Sequence, residues 1–214
     1  QGGPFMVALH DDKFIPKLEN LTDQIHEAEA DCLIGAQLYH SGRYSFPQII
    51  GTTPISSSSV YSRFSKSTPR AMEQDDIERE KEAFAMSARR AKKAGFDFIE
   101  ICGSAGYLFD QFTSPLINQR TDKYGGSFEN RLRFPTETIE LVKESVGEDY
   151  VVGVRIAGDD FVEGSLRYKE KPQIAQRYED SGADYISVTG DCVSFRNIDE
   201  CWHETRIPQL KKLN

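Results

Sequence analysis

Short apolar runs alternate along this chain with longer stretches in which apolar residues recur every three or four positions. The short runs have the length of strands buried on both faces, and the longer ones have the period of amphipathic helices. The pattern predicts a helix over 17–29 and then a strand over 33–39. A helix over 73–94 and a strand over 98–102 form the next pair. A third pair is a helix over 129–146 and a strand over 151–156. A helix that Pro172 opens and Gly182 closes, followed by a strand over 185–189, completes the series.

Charge and end signals agree with these spans. The helix over 73–94 carries Asp75, Asp76, Glu78 and Glu80 early and Arg89, Arg90, Lys92 and Lys93 late, which complements the helix dipole, and Gly95 follows as its stop. In the helix over 129–146, Leu132, Ile139, Val142 and Val146 share one face and Gly147 ends it. Apolar strands joined by helical crossovers imply an α/β fold with a parallel sheet, either an open doubly wound sheet or a closed (β/α)8 barrel. Segment order does not separate the two. Four strands are visible, half of a barrel's eight.

Composition narrows the class. The 214 residues suit one domain, and 38% hydrophobic with 28% charged residues is an ordinary globular balance. A net charge of −8 gives no support to nucleic-acid binding, and no apolar run reaches membrane-spanning length. The polar stretch 56–67 reads as a surface loop. Three of the four cysteines, Cys32, Cys102 and Cys192, lie in or beside apolar runs, and Cys201 precedes the single Trp. Without zinc spacing they read as buried free thiols, so a cytoplasmic setting is expected. The chain starts at Gln1, which suggests a processed or partial product.

Ligand sites in parallel α/β folds gather beyond the carboxyl ends of the strands. The first strand ends at Gln37-Leu38-Tyr39-His40 and runs into Gly42-Arg43-Tyr44. The second is followed by Cys102-Gly103-Ser104-Ala105-Gly106-Tyr107, and the third carries Arg155. Beyond the fourth lie Thr189-Gly190-Asp191 and then Trp202-His203-Glu204. Polar groups thus converge at one end. Each also has a structural explanation: a satisfied core amide for Gln37, an internal salt bridge for Arg155, a loop cap for Tyr107, a core or surface histidine for His203. Gly125-Gly126-Ser127 reads as a turn with a helix N-cap rather than a phosphate cradle.

The run Glu100-Ile101-Cys102-Gly103-Ser104-Ala105-Gly106-Tyr107-Leu108, then Asp110-Gln111-Phe112, then the stretch from Asn118 to Arg131, resembles the old yellow enzyme family. The segments 37–45 and 202–208 resemble its branch of bacterial 2,4-dienoyl-CoA reductases and 2-enoate reductases. The resemblance implies a (β/α)8 barrel with FMN across the carboxyl ends of its strands. It places this chain as the central segment of one domain, about strands 3 to 6, with the first two strands before Gln1 and the flavin phosphate pocket after Asn214. By position, Gln37 and Arg155 are implied to bind the flavin, Tyr107 to be the general acid and His203 to accompany it.

The implied reaction takes hydride from FMN, replenished by NADH or NADPH, to an alkene conjugated with a carboxylate or thioester, and Tyr107 protonates the neighbouring carbon. Many family members hold the substrate oxygen with His and a second His or Asn three residues on. Here those positions are Cys102 and Ala105, as expected in the dienoyl-CoA reductase branch. That branch also carries a 4Fe-4S cluster and an FAD domain downstream. Two alternatives stand: an amine-demethylating dehydrogenase of the same family, favoured by an aromatic site around a cation, and a non-catalytic barrel fragment whose open sheet edges self-associate.

Overall fold

The computed structural model describes residues 7–190. A 3-10 turn at Asp12–Phe14 opens into α1 (Ile15–Ala28), with a proline in the first helical turn where an amide proton is dispensable. β1 (Gly35–Leu38) follows, and a long excursion then carries a 3-10 turn at Gly42–Tyr44, α2 (Pro47–Ile50), β2 (Ile55–Ser56) and β3 (Arg70–Ala71). Next come α3 (Gln74–Lys93), β4 (Phe98–Gly103), α4 (Leu108–Thr113) and α5 (Phe128–Val146). β5 (Val151–Ala157), α6 (Lys171–Asp180) and β6 (Tyr185–Thr189) complete the described chain. The predicted helices and strands are all present to within about two residues at each end. In α3, Glu73 and Asp76 form a reciprocal capping box that starts the helix one residue inside the predicted span.

β1, β4, β5 and β6 form one sheet in that order, every pair parallel, with Gln37 opposite Glu100 and Cys102 opposite Arg155. The crossover helices form a single row: α1 packs on α3, α3 on α5, and α5 on α6. A doubly wound sheet sends its helices to the other face where the strand order reverses, whereas a barrel keeps them on one; the four strands here progress without a reversal. Alternation along the strands assigns the faces. Ile99, Ile101, Val152 and Val154 are fully buried beneath the helices with Ile77, Ala88, Ile139 and Val142. Each large aliphatic side chain so buried contributes about 1.5–3 kcal/mol. The opposite face carries Gln37, Phe98, Glu100, Arg155 and Tyr185, joined to one another by side-chain contacts. Gly35 and Gly153 leave this face room for the rings of Phe98 and Tyr185, which a Cβ would strike.

At the amino end of the strands the same clasp occurs twice. In Gly95-Phe96-Asp97-Phe98-Ile99, Asp97 Oδ2 accepts from the Ile34 amide at 2.7 Å and from His26 at 2.9 Å. In Gly182-Ala183-Asp184-Tyr185-Ile186, Asp184 Oδ2 accepts from the Val152 amide at 2.7 Å and from Lys143 Nζ at 2.7 Å. The aspartate amides donate back to Ile34 and Val152. Each clasp ties a strand to its predecessor and to the helix that leads into that predecessor.

Two expectations are corrected. The stretch 56–67 is a loop that is only partly at the surface: Tyr61 and Phe64 are exposed, but Ser56, Ser57, Ser58, Ser62 and Ser65 are buried. Their hydroxyls are satisfied inside the protein: Ser56 donates to Gln111 Oε1, Ser57 to the Gln111 carbonyl and Ser65 to the Arg43 carbonyl. Serine makes a segment look solvent-facing even where its hydroxyls replace water. Of the cysteines, Cys102 is buried as expected but Cys32 is exposed, since it precedes β1 rather than lying in it; Cys192 and Cys201 lie outside the described residues. No helix among the described residues is long and apolar enough to cross a membrane.

Candidate active site

The carboxyl ends of β1 and β4 open into two loops that one buried glutamine joins. Gln111, in α4, is fully buried, and its amide uses both ends. Oε1 accepts from the Arg43 amide at 3.0 Å and the Ser56 hydroxyl at 2.8 Å. Nε2 donates to the carbonyls of Ser41 at 3.1 Å and Gly106 at 2.7 Å. The loop after β1 is thus fastened to the loop after β4. Gly42 makes the approach possible: its φ is +56°, and a Cβ there would run into the Gln111 amide.

The loop after β4 is wound tightly. Ala105 and Gly106 both take left-handed backbone angles, φ +57° and +70°. For Ala105 that conformation costs about 1–2 kcal/mol, so the surroundings must hold it. Asp110 Oδ2 accepts from the Gly106 amide at 2.9 Å, and the Tyr107 amide donates to the Ser104 carbonyl. The turn delivers Tyr107 to the N-cap position of α4, where its side chain makes no capping bond. The Tyr107 ring instead lies 4.8 Å from that of Tyr39 and 6.4 Å from that of Tyr44. Phe64 continues the aromatic row, 5.3 Å from Tyr44 and 5.2 Å from Phe46.

Burial favours the neutral forms of Tyr39, Tyr44, Cys102 and His40. Burial pushes the Tyr39 phenol upward, helped by the neighbouring Tyr107 and Cys102. Burial also drives Tyr44 up to about 12, against the pull of Arg43. The Cys102 thiol is raised by burial and faces Ser104. Burial lowers His40 despite the nearby Glu80, and its Nδ1 accepts from the Gly42 amide at 3.0 Å.

On the inward sheet face, Gln37 and Arg155 meet at one atom. Gln37 Nε2 donates to Glu100 Oε1 at 2.6 Å, and Arg155 Nε donates to the same oxygen at 2.9 Å. Gln37 thus lies on the inner face of the sheet with its amide on Glu100. Arg155 forms an internal salt bridge with Glu100. An exposed amide and a cation on the concave face suit the polar edge of a flavin ring: the amide both donates and accepts, and the guanidinium favours negative charge. His203 lies outside the described residues.

The long motif from Asn118 to Arg131 is scaffold. Asn118 Nδ2 donates to the carbonyls of Phe112 and Tyr124, both at 2.7 Å. Arg120 holds the carbonyls of Ser57 and Met72, bracing β2 and β3. Ser127 caps α5 by accepting from the Asn130 amide, as the turn-and-cap reading expects. Sequence reasoning missed Glu100, Gln111 and Tyr39 as site residues. A signal existed for Glu100: it is an acid inside an apolar strand, on the same inward alternation as Cys102.

Comparison with known proteins places this geometry. The profile of the NADH:flavin oxidoreductase / NADH oxidase family matches residues 2–189. A metal reductase of Desulforamulus reducens is 42% identical over 96% of this chain and 29% of its own length. The structure superposes on 2-naphthoyl-CoA reductase with a TM-score of 0.79 at 31% identity, over 85% of this chain and 29% of that one. It superposes on the old yellow enzyme homologue of Zymomonas mobilis with a TM-score of 0.79 at 27% identity, over 88% of this chain and 56% of that one. The chain thus spans between 29% and 56% of the length of these relatives. The all-parallel sheet with its single row of helices is accordingly part of a (β/α)8 barrel, and the chain belongs to the NADH:flavin oxidoreductase / NADH oxidase family, the old yellow enzymes.

Proposed function

We propose that this chain forms the flavin-facing wall and the proton-delivering side of an FMN-dependent NAD(P)H oxidoreductase that reduces the C=C bond of 2-enoates or of enoyl and dienoyl thioesters. The observation that carries the reading is the convergence at the barrel mouth: Gln37 and Arg155 share Glu100 Oε1, and Tyr107 stands beyond β4 against Tyr39. Bound FMN supplies hydride taken from NADH or NADPH. Gln37 would donate to and accept from the polar edge of the ring, and Arg155 would stand by its developing negative charge. Tyr107 Oη would hand its proton to the substrate carbon next to the carbonyl, and His203 would resupply it. Cys102, kept a thiol by burial, and Ala105 give the substrate oxygen no strong donor. That favours acids and thioesters over simple enones.

Tyr107→Phe in the holoprotein tests the acid. Reoxidation of the reduced flavin by an enoyl thioester should slow by about a hundredfold or more, while reduction by NAD(P)H continues. An unchanged reoxidation rate would remove Tyr107 from the chemistry. The aromatic row Tyr39, Tyr107, Tyr44 and Phe64 favours amine oxidation as a second reading, since ring faces attract cations. Oxidation of a tertiary methylamine with no reduction of enoyl thioesters would select it. Against it, the Arg43 guanidinium already lies 5.4 Å from the Tyr44 ring.

A further inference from the structure

Between Gln37 and Arg155 lies a carboxylate to which the proton chemistry gives no task. Glu100 is 8% exposed, on the inward face of β4. The register sets Gln37 opposite it on β1 and Gly153 opposite it on β5, so no β5 side chain occupies its flank. Arg155, two residues further along β5, supplies the second donor to Oε1 at 2.9 Å, beside Gln37 at 2.6 Å. The Tyr185 hydroxyl stands 3.5 Å from Oε2.

We propose that Glu100 is a positioning residue for the flavin: it holds the Gln37 amide and the Arg155 guanidinium in one arrangement and offsets part of the arginine charge that the ring meets. This rests on the FMN reading above. A strand ladder needs no such bridge, because β1, β4 and β5 are already joined by backbone hydrogen bonds in continuous register. The bridge also lies on the concave face, away from the helix layer that stabilises the sheet. Two side chains on different strands, each with several rotatable bonds, meet at one oxygen, so their polar ends arrive pre-ordered. The negative charge of Glu100 offsets the positive charge of Arg155 at short range, so its removal leaves the ring in a more positive field. Reduced flavin gains negative charge and is favoured by that change.

The test uses the FMN holoprotein and Glu100→Gln, which keeps shape and loses charge. FMN binding, followed by the quenching of flavin fluorescence, should weaken about tenfold, and the midpoint potential should move to a more positive value. A purely structural residue would lower thermal stability and leave the potential alone. In Gln37→Ala the same Glu100→Gln change should have a smaller effect on FMN affinity, because one of its two clients is gone. Unchanged affinity and potential, or effects that add fully in the double variant, would overturn the inference and leave the flavoenzyme reading standing. Absence of FMN binding by the unaltered protein would overturn both. If Glu100→Gln does not fold, Glu100→Asp carries the test: its carboxylate, drawn back by one methylene, should weaken FMN at least threefold, and unchanged affinity would refute the assignment.

Discussion

Replacing Gln111 by Leu would strip partners from four buried groups at once: the Arg43 amide, the Ser56 hydroxyl and the carbonyls of Ser41 and Gly106. Each buried polar group left unpaired costs about 1–3 kcal/mol. Urea unfolding of Gln111→Leu should therefore show a loss of roughly 3–5 kcal/mol, since relaxation recovers part of the sum; a loss below about 1 kcal/mol would mean that the two mouth loops are joined by something else. At this scale the sequence was legible where a residue type conflicted with its surroundings. Arg155 inside an apolar strand demanded a partner, and it has one in Glu100. Gln111 raised no such conflict. A glutamine within Asp110-Gln111-Phe112 looks like any helix-surface residue until its six-residue helix proves buried on all sides.

The same reasoning separates the elements that could be read from those that could not. α1, α3, α5 and α6 bury one stripe each, so their period shows; α4 is buried throughout and β2 and β3 have two residues each, so none has a period to show. The excursion 56–67 misleads for a related reason, its serines being paired internally rather than with water. The clasps at the strand starts belong to this scale as well. Lys143 Nζ serves the carbonyls of Glu148 and Tyr150 at 3.0 Å each and both oxygens of Asp184. Lys143→Met should lower unfolding free energy by about 1–2 kcal/mol, because it removes the ammonium from two carbonyls and from a part-exposed carboxylate that keeps only the Val152 amide. A thermal or chemical melt showing no loss would assign the α5–β6 join to apolar packing alone.

Across the whole molecule the barrel was within reach of the sequence only through resemblance, because strand and helix order are shared with open sheets. The single row of helices, a relation between distant segments that no local pattern carries, agrees with a barrel, and the superposition on solved relatives decides it. Acid stability is a property of the same scale. Asp76 is held low by the Arg70 side chain and Asp122 by that of Arg120; in Asp97 and Asp159 burial is overcome by hydrogen bonds from backbone amides and from His26 and Arg167 respectively. Each is below its ordinary value of 3.8, so folding is favoured above that value and the benefit is lost as pH falls through the lowered ones. The urea midpoint should hold between about pH 7 and 5 and fall steeply below about pH 4. A midpoint that is level down to about pH 2.5 would show that these carboxylates titrate alike in both states.

The repeated aspartate clasp has a consequence for how such a chain changes over generations. Both copies sit at the amino ends of the strands, and the groups assigned to flavin and proton sit at the carboxyl ends. Fastening and chemistry therefore draw on separate sets of residues. Mutations that lengthen or re-sequence the mouth loops leave the aspartates untouched, so a lineage can exchange one substrate for another without re-solving how its α/β units are joined.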